Sequence, residues 1–140
     1  MNKSGWRHFD HQADIGIEGR GTDMAQAFAQ AGLALIAVMT DPDLIRPRQS
    51  RILACTGDDP ELLLFDFINE IIFLISSEGM IFSRIEVDIK DCGLEARLLG
   101  EPIDPDRHDP AVEIKGASFN GLRVGQDKKG LWVARCVVDV

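Results

Sequence analysis

The chain has 140 residues, of which 45% are hydrophobic and 27% charged, a balance that favours one globular domain over residues 1–140 and argues against disorder. Its formal net charge of −8 argues against unaided binding to nucleic acid, because neutralising phosphates requires a basic stripe and the basic residues are scattered along the sequence. An acidic surface instead suits a basic protein partner, a cation or simply solubility.

The cysteines give a second bulk constraint. Cys55, Cys92 and Cys136 are odd in number and far apart, a pattern that indicates reduced thiols rather than a disulfide framework or a zinc knuckle. No apolar run approaches the roughly 20 residues of a membrane span, and the first residues lack the apolar segment of a secretory signal. We therefore expect a cytoplasmic protein without a membrane anchor.

The first strong helical pattern follows the glycines at 19 and 21. Thr22 is the expected N-cap, Asp23 lies in the first turn, and the pattern ends at Thr40. The apolar stripe of this helix consists of Phe28, Ala31, Leu35 and Val38.

The second helical pattern has a clear start and end. Asp59 is the expected N-cap, Pro60 the first helical residue, and Gly79 the terminator. Because the segment is apolar on nearly every side, it belongs in the centre of the fold.

The remaining pattern predicts strands, most clearly at 81–89, where apolar and polar residues alternate. Further strands are expected at 9–18, 51–56, 94–98, 112–124 and 131–140. Residues 101–110 are expected to form a polar loop in which His108 is solvated. The predicted order β-α-β-α-β-β-β-β indicates an α+β fold, with two helices packed on a mostly antiparallel or mixed β-sheet.

Carboxylates near the two ends of the sequence are the first candidates for chemistry. Asp14 is expected on the opposite strand face from Ile15 and Ile17, and Asp139 is followed only by Val140. If the first and last strands are neighbours, these groups could converge, and oxygen ligands alone would select a hard cation such as Ca²⁺ or Mg²⁺. The alternative is that both are solvated carboxylates at strand ends.

The other candidate residues point away from a self-sufficient enzyme. His8 and His11 would face opposite sides of a strand, which favours positioning roles over metal binding. Lys115 is either a surface lysine, with its stem along the strand, or a functional one. Cys55 and Cys136 lie in apolar strands, where thiols are usually inert. No nucleophile elbow, P-loop or dinucleotide fingerprint is present.

Several motifs occur together in a specific order. They are Phe9-Asp10-His11-Gln12-Ala13-Asp14-Ile15-Gly16, Gly19-Arg20-Gly21-Thr22, Asp58-Asp59-Pro60-Glu61-Leu62-Leu63, Gly100-Glu101-Pro102-Ile103-Asp104, Val112-Glu113-Ile114-Lys115-Gly116-Ala117-Ser118-Phe119 and Val138-Asp139-Val140. This ordered set covers nearly the whole chain and resembles the archease family. Gln12, Gly116, Asn120 and Val140 depart from the usual residues of that family, without removing a proposed ligand.

The resemblance implies a strand–helix–strand–strand module with inserted elements and a function as an accessory protein. Archeases activate the RtcB-type tRNA ligase by promoting its guanylylation by GTP and its multiple turnover. Their metal site, seen as calcium, would correspond to the side chains of Asp14 and Asp139 and to a backbone or terminal oxygen of Val140, with magnesium or manganese as alternatives. Lys115 would contact the ligase or its nucleotide, and the resemblance implies no catalytic residue.

Two other functions stay open at this stage. A metal-dependent hydrolase could use the same carboxylates if an open cation lay near a general base. A protein-interaction, chaperone-like or small-ligand-binding module without catalysis is compatible with the same architecture, because a fold does not by itself decide function.

Overall fold

The fold is seen in a computed structural model, which describes residues 4–11 and 14–140. Within these residues the elements are β1 (Gly5–His11), β2 (Asp14–Gly21), α1 (Met24–Met39), a 3₁₀ helix (Pro42–Leu44), β3 (Gln49–Thr56), α2 (Pro60–Glu78), β4 (Met80–Lys90), β5 (Gly93–Pro102), α3 (Pro105–His108), β6 (Gly116–Gln126) and β7 (Trp132–Asp139).

The strands form two antiparallel sheets, with the orders β1-β2-β7-β6 and β3-β5-β4. Helix α1 contacts β1, β2 and β7 of the first sheet and β4 of the second, while α2 contacts β6 and all three strands of the second sheet. The α+β class is therefore confirmed, with the strands divided between two sheets rather than joined in one. The physical reason is that helices this apolar need cover on both sides.

Helix α2 follows its sequence signals. The Asp59 side chain accepts a hydrogen bond from the Glu61 N–H, Pro60 opens the helix, and Gly79 ends it with a φ of 63°. Its buried side chains are Leu63, Leu64, Phe67, Ile68, Ile71, Ile72 and Ile75. No helix in the described ranges 4–11 and 14–140 is long and apolar enough to cross a membrane.

Helix α1 begins one residue later than the sequence predicts. Asp23, rather than Thr22, is the N-cap, and its carboxylate accepts from the Gln26 N–H at 2.8 Å. The Thr22 hydroxyl instead donates to the Gln26 side-chain oxygen at 2.9 Å. Both residues are good caps, so the choice between them was decided by local backbone geometry.

Segment 9–18 is the clearest difference from the sequence prediction. It contributes to two strands instead of one, because β1 and β2 form a hairpin in which His11 lies opposite Asp14. The intervening sequence has no glycine, proline or asparagine, so the sequence carries no turn signal that would predict two strands here. Gln12 and Ala13 lie outside the described residues.

The loop after β5 is not simply polar and solvated. His108 is only 1% exposed, and its Nδ1 accepts from the Asp104 N–H, so Nε2 carries the proton donated to Glu101 at 2.9 Å. The Arg107 guanidinium makes two further bonds to the Glu101 carboxylate, at 2.7 and 2.9 Å. The expectation of a solvated His108 was wrong because Glu101, itself buried, recruits it as a partner.

The close approach of α1 to β2 depends on Gly19. A Cβ at this position would lie 2.2 Å from the Ala27 carbonyl oxygen and the Ala31 nitrogen, both backbone atoms that cannot move aside. We expect Gly19→Ala to lower the free energy of unfolding by about 2–3 kcal/mol, in the range of overpacked sites. Urea denaturation of this variant and of the control Gly125→Ala, where a Cβ meets open space, checks this. Equal stability of the two variants would contradict it.

The buried carboxylate of Glu101 makes the stability of the fold depend on pH. Its hydrogen bonds from Arg107 hold the pKa of this carboxyl well below its usual range, against the opposing effect of burial. A lowered pKa means that the ionised group stabilises the fold fully above its unfolded-state pKa of about 4.5 and less as the pH falls below that value. Glu101→Gln should therefore lower stability by about 2 kcal/mol at neutral pH. The gap between the variant and the natural chain should narrow in urea titrations below pH 4.5, and a pH-independent gap would refute the assignment.

Candidate functional site

The two candidate aspartates lie at the same end of the four-stranded sheet. Strands β2 and β7 pair with Ile15 opposite Val138, and one further step along this register brings Asp14 to Asp139. Ile15 and Val138 face the helices, so both aspartates belong to the opposite face, called here the outer face of the sheet. The structure thus places the first and last predicted strand regions side by side, as the candidate site requires.

Lys115 lies at this same end. It was expected within a strand, but β6 begins at Gly116, and Lys115 is an exposed residue directly before it. Its backbone N–H donates to the Asp139 carbonyl oxygen at 2.8 Å, while Gly116 lies opposite Asp139. The backbone therefore ties Lys115 to Asp139.

The two histidines of β1 have different surroundings. The Nε2 atom of His8 lies 2.8 Å from the Ala34 carbonyl oxygen, which attaches β1 to α1. His11 lies opposite Asp14, and its buried Nδ1 has no hydrogen-bond partner among residues 4–11 and 14–140. His8 therefore has a positioning role, and His11 adds an unsatisfied polar atom beside Asp14.

This end of the sheet has the donor chemistry of a hard-cation site but few donors. Two carboxylates on adjacent strands repel each other, and a cation between them would relieve that repulsion. Among the described residues, no group of three or more His, Cys, Asp or Glu is placed to hold a metal ion. Asp14 and Asp139 fit a divalent cation only if main-chain oxygens, such as that of Val140, or water complete its shell.

An apolar layer separates this end from the rest of the outer face. The Phe9 ring covers Gly16, where an added Cβ would lie 2.3 Å from the ring. The Arg135 guanidinium lies over the same ring, 4.1 Å from its centroid. Val137, opposite Gly16, is fully buried here. The outer face is thus partly covered in its middle.

Beyond this layer lies a cluster that the sequence analysis missed. Arg7, Arg20 and Arg135 surround the carboxylate of Glu18, which is only 1% exposed. Burial would raise the pKa of Glu18, but the hydrogen bonds from Arg7 and Arg20 outweigh it, so the pKa lies below its usual value. The basic residues are scattered in sequence but not in space, because they lie on different strands. Along each strand these charged residues alternate with residues that face the helices, and this alternation is the sequence signal that could have revealed the cluster.

The buried cysteines remain poor nucleophiles. Burial, with a smaller contribution from the charges of Glu70 and Asp66, raises the pKa of the Cys55 thiol to about 11. Burial also raises the pKa of Cys136 to about 11. At neutral pH both are protonated thiols, so neither offers the thiolate that nucleophilic chemistry requires.

Comparison with known proteins supports what the ordered motifs suggested. The sequence profile of the Archease protein family matches residues 6–140. The chain belongs to the archease family. "Protein archease" of Pyrococcus abyssi is 32% identical over 139 residues, which cover 96% of this chain and 98% of the relative.

Solved structures of related proteins agree with this family membership. The solution structure of a Methanobacterium thermoautotrophicum protein is 31% identical, with a TM-score of 0.78 over 97% of this chain and 99% of that one. A Thermotoga maritima crystal structure, described as an archease and "possible chaperone", has 19% identity and a TM-score of 0.65 over 96% of each chain. The latter shows the shared fold.

Proposed function

We propose that this archease is an accessory factor of an RtcB-type RNA or tRNA ligase, promoting guanylylation of the ligase and its multiple turnover. The observation that supports the proposal is that Asp14, Asp139 and the Lys115 backbone lie at the same end of the four-stranded sheet, in a chain of this family. Three free cysteines without a disulfide partner fit action in the cytoplasm.

Charge supports a protein partner of this kind. A ligase that binds RNA needs a basic surface, and a chain with a net charge of −8 would be steered towards it. The exposed side chain of Lys115 is the proposed contact with the ligase or its nucleotide, since an ammonium group binds phosphate or carboxylate. Asp139, fixed next to it, would determine where that lysine docks.

The proposed site also holds a divalent cation, most simply calcium, with magnesium or manganese as alternatives. Asp14 and Asp139 would bind it through their side chains, and Val140 through a main-chain oxygen. A bound ion would supply positive charge that neutralises the two carboxylates and can polarise a phosphoryl oxygen. The residues of this chain would position the ion and the contact with the ligase, and would carry out no catalytic step themselves.

The ligase proposal predicts a specific loss of activation. Adding the chain to its ligase should change single turnover into multiple turnover, and Asp14→Asn, Asp139→Asn or Lys115→Gln should reduce that gain about tenfold or more, as expected for loss of a charged contact. RNA joining per ligase molecule is the measurement. Asp91→Asn, an exposed carboxylate in the turn between β4 and β5, is the matched control. If the number of turnovers per ligase molecule were the same with and without this chain, the proposal would be refuted.

The cation site predicts a separate thermal result. Calcium at a hundredfold excess over its dissociation constant should stabilise the natural chain by about 2.7 kcal/mol. Asp139→Asn should abolish this calcium-dependent rise in melting temperature, and with chelator present it should melt no lower than the natural chain, because one of two repelling charges is gone. An unchanged calcium response in Asp139→Asn would exclude Asp139 as a ligand.

A protein-interaction or small-ligand module is the second candidate. An apolar cavity of about 430 Å³ lies between α2 and the segment before β6, lined by residues that include Met39, Ile72 and Ile114. Phe119, 64% exposed, stacks on Phe65 with ring centroids 4.2 Å apart. The turnover assay separates the candidates, because such a module would leave the ligase unaffected.

A further inference from the structure

Four charged side chains form a continuous row across the four-stranded sheet. Arg7 of β1 lies opposite Glu18 of β2, Glu18 opposite Arg135 of β7, and Arg135 opposite Arg123 of β6. Residues directly opposite each other in antiparallel strands share a face, so the row lies on the outer face of the sheet. It crosses every strand of that sheet.

Glu18 organises the row. One carboxylate oxygen accepts from Arg7 Nε at 2.7 Å and Arg20 Nε at 2.9 Å. The other accepts from Arg7 Nη2 at 3.2 Å and lies 3.1 Å from Arg135 Nε. Because the buried carboxylate of Glu18 contacts Arg7, Arg20 and Arg135, it holds their guanidinium groups in place in the absence of a ligand.

Two of these guanidinium groups have hydrogen-bonding capacity that the described residues leave unsatisfied. Arg123 makes no side-chain hydrogen bond or ion pair within the described ranges, although it lies beside the like-charged Arg135. The buried Nε of Arg135 has no well-aligned hydrogen bond there despite its proximity to Glu18. Two adjacent guanidinium groups repel each other, and a bound anion would relieve this repulsion.

A small pocket opens at this point. It has a volume of about 150 Å³ and is lined by Arg7, Arg20, Arg123 and Arg135, with Glu18 and Asp127 as its acidic residues. Asp127 is occupied by Arg20, whose Nη1 lies 3.0 Å from its carboxylate. Four guanidinium groups against two carboxylates leave an excess of two positive charges in a chain whose net charge is −8.

We propose that this arginine pocket binds one phosphate group, either as inorganic phosphate or as the terminal phosphate of a small molecule. Guanidinium forks match the oxygens of phosphate, and the dianion balances the local excess of charge. The volume suits a single phosphate group rather than a stretch of nucleic acid backbone. The pocket is independent of the proposed ligase function, since Arg135 and Asp139 are four residues apart on β7, about 13 Å along the strand.

Arg123→Gln gives the cleanest test, because the loss of an arginine without a protein partner should leave folding unchanged. We expect inorganic phosphate at low ionic strength to raise the melting temperature of the natural chain and to shift the backbone amide resonances of Gly125 and Asp127. In Arg123→Gln, calorimetric titration should show phosphate affinity about tenfold lower, as for loss of one charged hydrogen bond. Arg135→Gln should lose as much affinity and also some stability, because Glu18 loses a partner.

The control is Arg97→Gln, an exposed arginine of β5 that pairs with Glu86 on the other sheet and should leave phosphate affinity unchanged. Tighter binding of a nucleoside triphosphate than of phosphate would identify a nucleotide as the source of the group, and equal binding would identify phosphate itself. Absence of phosphate binding, equal loss in all three variants, or equally strong binding of acetate would each overturn the proposal.

Discussion

The pairing of β2 with β7 places Ile15 opposite Val138 at one end and Glu18 opposite Arg135 further along. One register therefore creates both charged regions of the outer face. A slip of one residue in either strand would turn its charged residue, Glu18 or Arg135, towards the helices, where a buried charge without a partner is strongly unfavourable. The apolar residues on the inner face, such as Ile17 and Cys136, hold that register by packing on α1.

The helices decide which sheet face remains available. Both lie between the sheets, and α1 reaches β2 closely because Gly19 presents only a hydrogen to Ala27 and Ala31. This arrangement buries most of the core side chains of the described residues between the two sheets. The outer face of the four-stranded sheet is consequently left for polar groups, with Phe9 and Val137 as its apolar middle.

The buried and the more exposed carboxylates of this fold differ in whether an arginine neutralises them. Glu18 and Glu101 are both almost fully buried, and each is compensated by arginine, which supplies several fixed donors to one carboxylate. Asp14 and Asp139 have no comparable arginine partner among the described residues. The outer face therefore has an uncompensated acidic end and a basic end, which suits two ligands of opposite charge.

The sequence by itself determined the α+β class, the β4–β5 hairpin and the ordered motifs of the archease family. It also determined the N-cap Asp59, the first residue Pro60 and the C-cap Gly79 of helix α2. These follow from local backbone preferences and from periodicity, which short segments encode completely. Only the tertiary structure divided the strands between two sheets, buried His108 against Glu101 and assembled arginines from four strands around Glu18. Some of these contacts, such as those of Arg135 with Glu18 and of Arg20 with Asp127, join residues more than a hundred positions apart. The strand order that brings them together depends on how all the apolar faces are covered at once.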